Sequence, residues 1–263
     1  MSKTRRVLLV LLALAVLTRP LDSLLAVMLP DSSVNAVPYM IGGMLITILL
    51  LGVPAMLMRP WTSVRLTKAK SAWPGLVMAA AAAVLTRAAM SPVDSAWQNW
   101  LGLAPEALPV PQSVPEAMLY IVALAVIPAI AEEIFFRGAV LTPLLDGSRR
   151  VTAVLLTTVN FALMHGSAAN LPSLLAVSLL LTLLMLHTGH IAVPMTAHLV
   201  FNLTALNWIA IPVWGSLLCG AVLIGLMVYI CARQPKFAHP PMKWPDGLIA
   251  AATIVVLAAV YFV

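Results

Sequence analysis

Long apolar segments, separated by short polar ones, run through this chain from end to end. A helix that crosses a bilayer needs about 20 mostly apolar residues, within a range of roughly 17–25. A soluble protein carries about 25% charged residues to cover its surface, whereas this chain has only 9%. The sequence therefore predicts an all-α, polytopic transmembrane helical bundle of about eight or nine spans, and excludes a soluble enzyme, a secreted domain and a disordered chain. The predicted spans are 7–29, 36–58, 72–90, 117–145, 151–165, 172–188, 190–210, 212–231 and 246–263.

The basic residues indicate an orientation. If the N-terminus is cytoplasmic, most of them fall in cytoplasmic segments, as the positive-inside rule requires. Only Arg19 and Arg87 break this pattern, and Arg19 lies three residues before Asp22, with which it can pair. The net charge of +6 is therefore a topology signal rather than a sign of nucleic-acid binding. We expect an integral protein of a cell membrane, a bacterial inner membrane, with its N-terminus in the cytoplasm.

One transmembrane domain, 1–263, is predicted, since neither an internal repeat nor a soluble domain is recognisable. It divides into N-terminal spans over 7–90, a central core over 117–210 and C-terminal spans over 212–263. The Pro-rich stretch 91–116, which contains two tryptophans, is predicted to lie at the outer membrane interface, where Trp is enriched.

Three clusters of polar residues lie inside predicted spans. A charged side chain there costs about 2.5–3.5 kcal/mol on insertion scales and by default marks function. The clusters are Glu132–Glu133 with Arg137, Phe161 with His165, and His198 with Asn202. The partners in each cluster are four or five residues apart, which places them near one another on a helix.

The depths in the membrane that we expect for Glu132 and His165 indicate that these clusters lie close together. Glu132 precedes Leu145 by 13 residues and His165 follows Arg150 by 15, so both rise roughly 20 Å from the same turn. His198 is expected to lie somewhat shallower, and Pro128 and Pro143 are expected to kink their span. The fifth span is short, so the link 166–172 should dip inward and leave a water-accessible cavity that opens toward the outer leaflet.

These residue types suit the activation of water. A carboxylate can take a proton from water, and a neighbouring imidazole can help to orient or deprotonate it. A second imidazole and an amide can donate hydrogen bonds to the oxyanion that forms when water attacks an amide. Arg137 would hold one carboxylate ionised. The interpretation is a peptide hydrolase that works inside the bilayer.

The three motifs resemble those of the CPBP family of CAAX-protease and bacteriocin-processing intramembrane proteases, also called the Abi family. The segments EEIFFRG, FALMH and HLVFN correspond in order to its EExxxR, FxxxH and HxxxN motifs, across residues 132–202. The resemblance implies a glutamate-type endopeptidase with Glu132 as general base, His165 assisting, and His198 and Asn202 as the oxyanion site. It also implies supporting roles for Glu133, Arg137 and Phe161, and a membrane-anchored protein or peptide as substrate.

Several alternatives remain open. No cofactor is favoured, although Glu132, Glu133, His165 and His198 could bind a divalent ion such as zinc. A small proton-coupled transporter could use the same glutamates as a relay, and an inactive immunity or scaffold protein could retain the fold. Prenylated C-termini, bacteriocin leaders and C-terminal sorting tails all remain candidate substrates.

Overall fold

A computed structural model describes residues 1–28, 36–58, 73–104, 110–206, 211–233 and 241–259. These residues form helices with no strand among them, which confirms the prediction of an all-α transmembrane bundle. The predicted pair of Arg19 and Asp22 lies outside the described side chains, as does the basic segment 59–70. The helices are α1 (Lys3–Met28), α2 (Ala36–Met58), α3 (Trp73–Leu101), α4 (Val114–Gly147), α5 (Arg150–Met164), α6 (Leu171–Thr188), α7 (Ala192–Leu206), α8 (Val213–Ala232) and α9 (Trp244–Ala259).

The helices differ in how far they can reach across a membrane. Of the described helices, α2, α3, α4, α6 and α8 are long and apolar enough to cross. Helix α5 has 15 residues, which amounts to about 22 Å at 1.5 Å per residue, against roughly 30 Å for the hydrocarbon core. As predicted for the fifth span, α5 is too short for a full crossing. If α5 begins at the membrane surface, its other end, next to His165, lies within the bilayer.

Helix α3 is longer than the sequence predicts. It continues past position 90, through Pro92, as far as Leu101. The predicted end of this span at position 90 is therefore wrong, whereas the interfacial position of 91–116 stays a prediction. The reason is tertiary: the last turns of α3 carry Asp94 and Gln98, both buried, whose side chains bind the backbone of 169–173.

Helix α4 is interrupted by two wide π-helical turns, Val122–Val126 and Ile134–Val140. Each one is followed within three residues by a proline, Pro128 or Pro143, whose ring removes a backbone donor and disturbs the preceding turn. The two glutamates lie in the short α-helical piece between the wide turns. A third π turn, Ile48–Gly52 in α2, packs against that piece and against Ile134–Val140. Such turns occur frequently at functional sites.

Packing around α3 and α1 fixes the bundle. Helix α3 contacts α6, α7 and α8, while α1 packs on α9 and on the end of α4. The Thr4 hydroxyl donates to the Pro143 carbonyl at 2.8 Å, and Arg5 pairs with the buried Asp246 at 2.7 Å. These contacts bring the starts of α1, α5 and α9 to one end of the bundle. We call it the basic end, because it carries Lys3, Arg5, Arg6, Arg149, Arg150, Arg233 and Lys243.

Candidate active site

A fully buried ion pair lies at the centre of the site. Arg137 Nη1 donates to Glu133 Oε1 at 2.8 Å, and neither side chain is exposed. Arg137 Nη2 also donates to the carbonyl and the hydroxyl of Ser178 on α6, at 2.9 Å each. Burying an ion pair is tolerated only when further hydrogen bonds compensate for the lost water. Ser178 supplies two of them, whereas Glu133 Oε2 and Arg137 Nε have no partner among the described residues. The arginine thereby fixes Glu133 as an ionised carboxylate.

Glu133 in turn orients His198. The Nδ1 atom of His198 lies 2.9 Å from Glu133 Oε1, the same oxygen that Arg137 contacts. Because that carboxylate is ionised, Nδ1 carries the proton and donates it. The Nε2 atom of His198 then points to the other glutamate. His198 was predicted to lie shallower than the glutamates, and this is wrong, since it contacts Glu133 directly.

Glu132 faces two imidazoles without bonding to either. Its Oε2 atom lies 3.6 Å from His165 Nε2 and 3.9 Å from His198 Nε2, both too long for direct hydrogen bonds. That oxygen is buried and has no hydrogen-bond partner among the described residues. Gaps of this size between polar atoms are suited to a bridging water molecule. Glu132 and His165 therefore meet at one depth, as the residue spacing predicts.

The protonation of His165 follows from its backbone contact. Its Nδ1 atom lies 2.8 Å from the carbonyl oxygen of Phe161. A carbonyl only accepts, so Nδ1 carries a proton and the neutral ring keeps a lone pair on Nε2. This lone pair faces Glu132. A water molecule between them can donate one hydrogen to the carboxylate and the other to the imidazole.

The Phe161 ring packs against His165, His198 and Arg137. Its ring centroid lies 4.6 Å from that of His165 and 5.6 Å from that of His198. The guanidinium carbon of Arg137 lies 4.7 Å from the same centroid, within the range of a cation–π interaction. One aromatic side chain thus restrains both imidazoles and covers the buried ion pair.

The link after His165 is held by three side chains of α3. Trp97 Nε1 donates to the Ala168 carbonyl at 2.8 Å, and Gln98 Nε2 donates to the Ala169 carbonyl at 3.1 Å. Asp94 accepts the backbone N–H of Ser173 at 3.1 Å, which is one of the donors that the start of α6 leaves unpaired. The sequence motifs do not predict these three contacts from Asp94, Trp97 and Gln98, which we call the α3 clamp. Its only sequence signal is the helical spacing of 94, 97 and 98 within a stretch that reads as interfacial.

A cavity opens beside Glu132 and His165. It measures about 220 Å³, and its walls, from α1, α2, α4 and the end of α5, combine polar and apolar side chains. Its polar lining beyond the two catalytic candidates consists of the hydroxyls of Thr18 and Thr47, which donate to carbonyls one turn earlier in their own helices. The other lining residues are Ile46, Leu50, Leu51, Phe136 and Met164.

Asn202 stands apart from the other predicted site residues. It lies on α7 one turn after His198 and is half-buried. It does not line the cavity, and its amide bonds to no side chain or carbonyl of the described residues. Its donors are therefore available to a ligand that reaches this side of His198.

The fit to a metal ion can be judged from the donor atoms. A carboxylate and two imidazoles are among the ligands that zinc takes in proteins. However, within the described ranges no group of three or more His, Cys, Asp or Glu side chains is arranged to hold a metal. The chemistry proposed below uses protein groups and water alone.

The central region of the chain also matches a known family. Residues 114–204, about a third of the chain, match the family model described as Type II CAAX prenyl endopeptidase Rce1-like. This match contains all three motifs and confirms the resemblance inferred from them. No curated protein and no solved structure matches the chain significantly.

Proposed function

We propose that this integral membrane protein is an endopeptidase that hydrolyses a peptide bond of a membrane-associated protein or peptide. The observation that carries the proposal is the position of Glu132: a buried, unpartnered carboxylate oxygen that faces two imidazole nitrogens at 3.6 and 3.9 Å beside a cavity. A carboxylate and an imidazole that share one water are suited to general-base activation of that water. The Rce1-like match agrees with this reaction class.

In the first step, a water molecule lies between Glu132 and His165. Its oxygen attacks the scissile carbonyl carbon while Glu132 accepts one of its protons. The C–O bond forms, and the carbonyl π electrons move to oxygen, which becomes an oxyanion. The protonated Glu132 then delivers the proton to the leaving nitrogen as the C–N bond breaks. As the C–N bond breaks, the oxyanion electrons re-form the carbonyl bond. The products are a new amine and a new carboxylic acid, which becomes a carboxylate by losing the second proton of the water to solvent.

His198 and Asn202 stabilise the oxyanion in this scheme. Since Nδ1 of His198 already donates to Glu133, Nε2 can donate only when the ring is an imidazolium. In this scheme Glu133, 2.9 Å from Nδ1, is the counter-ion of that ring. The amide of Asn202 supplies a second donor from the same face of α7. Glu133, fixed by Arg137, therefore acts through His198 and is a positioning residue.

The cavity indicates how a substrate would lie. It is lined by apolar side chains of α2 together with Glu132, His165 and two threonine hydroxyls. An apolar substrate side chain can therefore lie against α2 while the scissile bond reaches the polar groups. The substrate backbone must be extended at that point, because a helix buries its carbonyls in hydrogen bonds to its own N–H groups. We propose a membrane-anchored segment that is locally unwound. The name of the matching family mentions prenylated CAAX substrates, and bacteriocin leaders and C-terminal sorting tails are equally compatible with this geometry.

The test is cleavage of a panel of membrane-anchored peptides by the purified protein in liposomes. Wild type is expected to cut at least one of them, and Glu132→Gln to reduce the rate by about 10²- to 10⁴-fold, the usual contribution of a general base. Glu116→Gln is the matched control: Glu116 lies on the same helix, is partly exposed, and bonds to Gln112, Ser113 and Tyr120 around the start of that helix. Equal cutting by wild type and Glu132→Gln overturns the mechanism.

A further inference from the structure

A second, larger cavity lies at the other end of α5. It is a groove of about 700 Å³ between α5, α6 and α8, within the size range of ligand pockets. The first two turns of α5 line it, whereas the catalytic candidate His165 follows the last turn, about 15 Å farther along. The groove is therefore distinct from the cavity beside Glu132. Its apolar lining residues are Val151, Val154, Leu155, Leu179, Leu183, Leu186, Ile224, Met227, Val228 and Ala232.

The groove is open on its outer side. Val151 and Leu155 of α5 and Ile224 and Val228 of α8 are all more than half exposed. Helix α8 is a candidate membrane span, and α5 is an apolar helix that packs against α6, another candidate span. We therefore infer that these residues face hydrocarbon rather than water. An open apolar groove at this depth fits a hydrocarbon chain.

Charge is confined to one end of the groove. Arg150 lines it where α5 begins, next to Cys231 near the end of α8. Arg149 and Arg233, both exposed, flank this mouth along the chain, and none of the described residues that line the groove is acidic. The mouth also coincides with the N-terminus of α5, where the helix dipole adds a partial positive charge. An anionic group is therefore complementary to the mouth.

We propose that this groove binds one anionic phospholipid, with an acyl chain between α5 and α8 and the phosphate at Arg150. The apolar walls of the groove contact the acyl chain, and the basic residues at its mouth favour an anionic headgroup. The lipid would bridge helices that leave a gap of this volume, and it would stabilise α5. Since α5 carries Phe161 and leads to His165, the bound lipid would also help to hold the catalytic imidazole at its depth.

Cys231 provides a direct probe, because it lines the groove and is exposed. In a Cys219→Ser background it is the single thiol of the chain. Its alkylation by a maleimide is measured in vesicles of phosphatidylcholine alone and in vesicles of phosphatidylcholine and phosphatidylglycerol in equal parts. Phosphatidylglycerol is expected to slow labelling about fivefold, the factor that corresponds to one juxtamembrane arginine on an anionic lipid.

Two variants separate the contributions of headgroup and chain. Arg150→Gln should remove the difference between the two vesicle types, whereas Lys243→Gln, which neutralises a basic residue of the same end outside the groove, should preserve it. Val154→Trp fills the groove, and phosphatidylglycerol should no longer co-purify with it, as judged by native mass spectrometry. Circular dichroism checks that each variant is folded.

The same measurements can overturn the proposal. Equal labelling of Cys231 in both vesicle types would show that the groove does not select an anionic headgroup. Equal effects of Arg150→Gln and Lys243→Gln would assign the selectivity to the general charge of the basic end. Retention of phosphatidylglycerol by Val154→Trp would place the lipid elsewhere. None of these outcomes depends on peptidase activity.

Discussion

Removing Arg137 should destabilise the protein far more than removing the whole ion pair. The Arg137→Met variant leaves Glu133 fully buried without its guanidinium and deprives Ser178 of two hydrogen bonds. Loss of one partner of a buried pair costs about 3–5 kcal/mol, because the remaining charge has neither water nor a counter-ion. For a protein of this size that corresponds to a fall in unfolding temperature of roughly 6–20 °C.

The double variant Glu133→Gln with Arg137→Met should recover most of that loss. It removes both charges, so no uncompensated charge stays buried, and the remaining cost is that of the lost hydrogen bonds to Ser178. The side-chain amide oxygen introduced by Glu133→Gln can still accept from Nδ1 of His198. Activity should nevertheless stay low, since the ionic contact between Glu133 and Nδ1 of His198 is lost. In this variant we therefore expect the unfolding temperature to recover while the cleavage rate stays low.

The assay is thermal unfolding in detergent, followed by tryptophan fluorescence, alongside peptide cleavage in liposomes. The Glu133→Gln single variant completes the cycle and isolates the coupling energy of the pair. If Arg137→Met unfolds at the wild-type temperature, Glu133 is not buried away from water as the structure shows. A double variant as unstable as Arg137→Met would contradict the argument from uncompensated charge.

Three further predictions concern the link after His165 and the question of a metal. Trp97→Phe keeps an aromatic ring but loses the N–H that binds Ala168, so it should cost about 1 kcal/mol of stability and lower kcat with little change in KM; an unchanged kcat would show that the α3 clamp does not position His165. Asp94→Ala should cost about 0.5–2 kcal/mol by leaving the Ser173 N–H unpaired, whereas Asp94→Asn, which retains an acceptor, should recover most of it; equal losses in both would contradict a capping role. Cleavage should continue in the presence of EDTA or phenanthroline, since the described residues offer no metal-holding group of three; inhibition that added zinc reverses would contradict the metal-free scheme.

The parts of the site that follow from helical spacing were predictable. Glu133 and Arg137 are four residues apart, and a helix brings such a pair into contact whatever surrounds it. The meeting of Glu132 and His165 follows from counting residues away from a shared turn, since rise per residue is nearly constant. The all-α membrane class follows from apolar segment length alone.

Other features depend on contacts between distant segments. Pro92 and the two nearby tryptophans are typical of a helix end at an interface, yet α3 continues because Asp94, Trp97 and Gln98 bind the link 166–170 and the start of α6. The depth of His198 was misjudged for the same reason, because its contact with Glu133 depends on how α7 packs. The π turns around the glutamates likewise have no reliable signal in a single sequence beyond the prolines that follow them.

The central claim, that Glu132 activates water for direct attack on a peptide bond, is tested most directly by single-turnover cleavage in water enriched in oxygen-18. Mass spectrometry of the quenched reaction should find one oxygen-18 atom in the new C-terminal carboxyl group, no covalent peptide–protein adduct, and almost no product with Glu132→Gln. A trapped covalent adduct, or product formed by Glu132→Gln at the wild-type rate, would contradict the account.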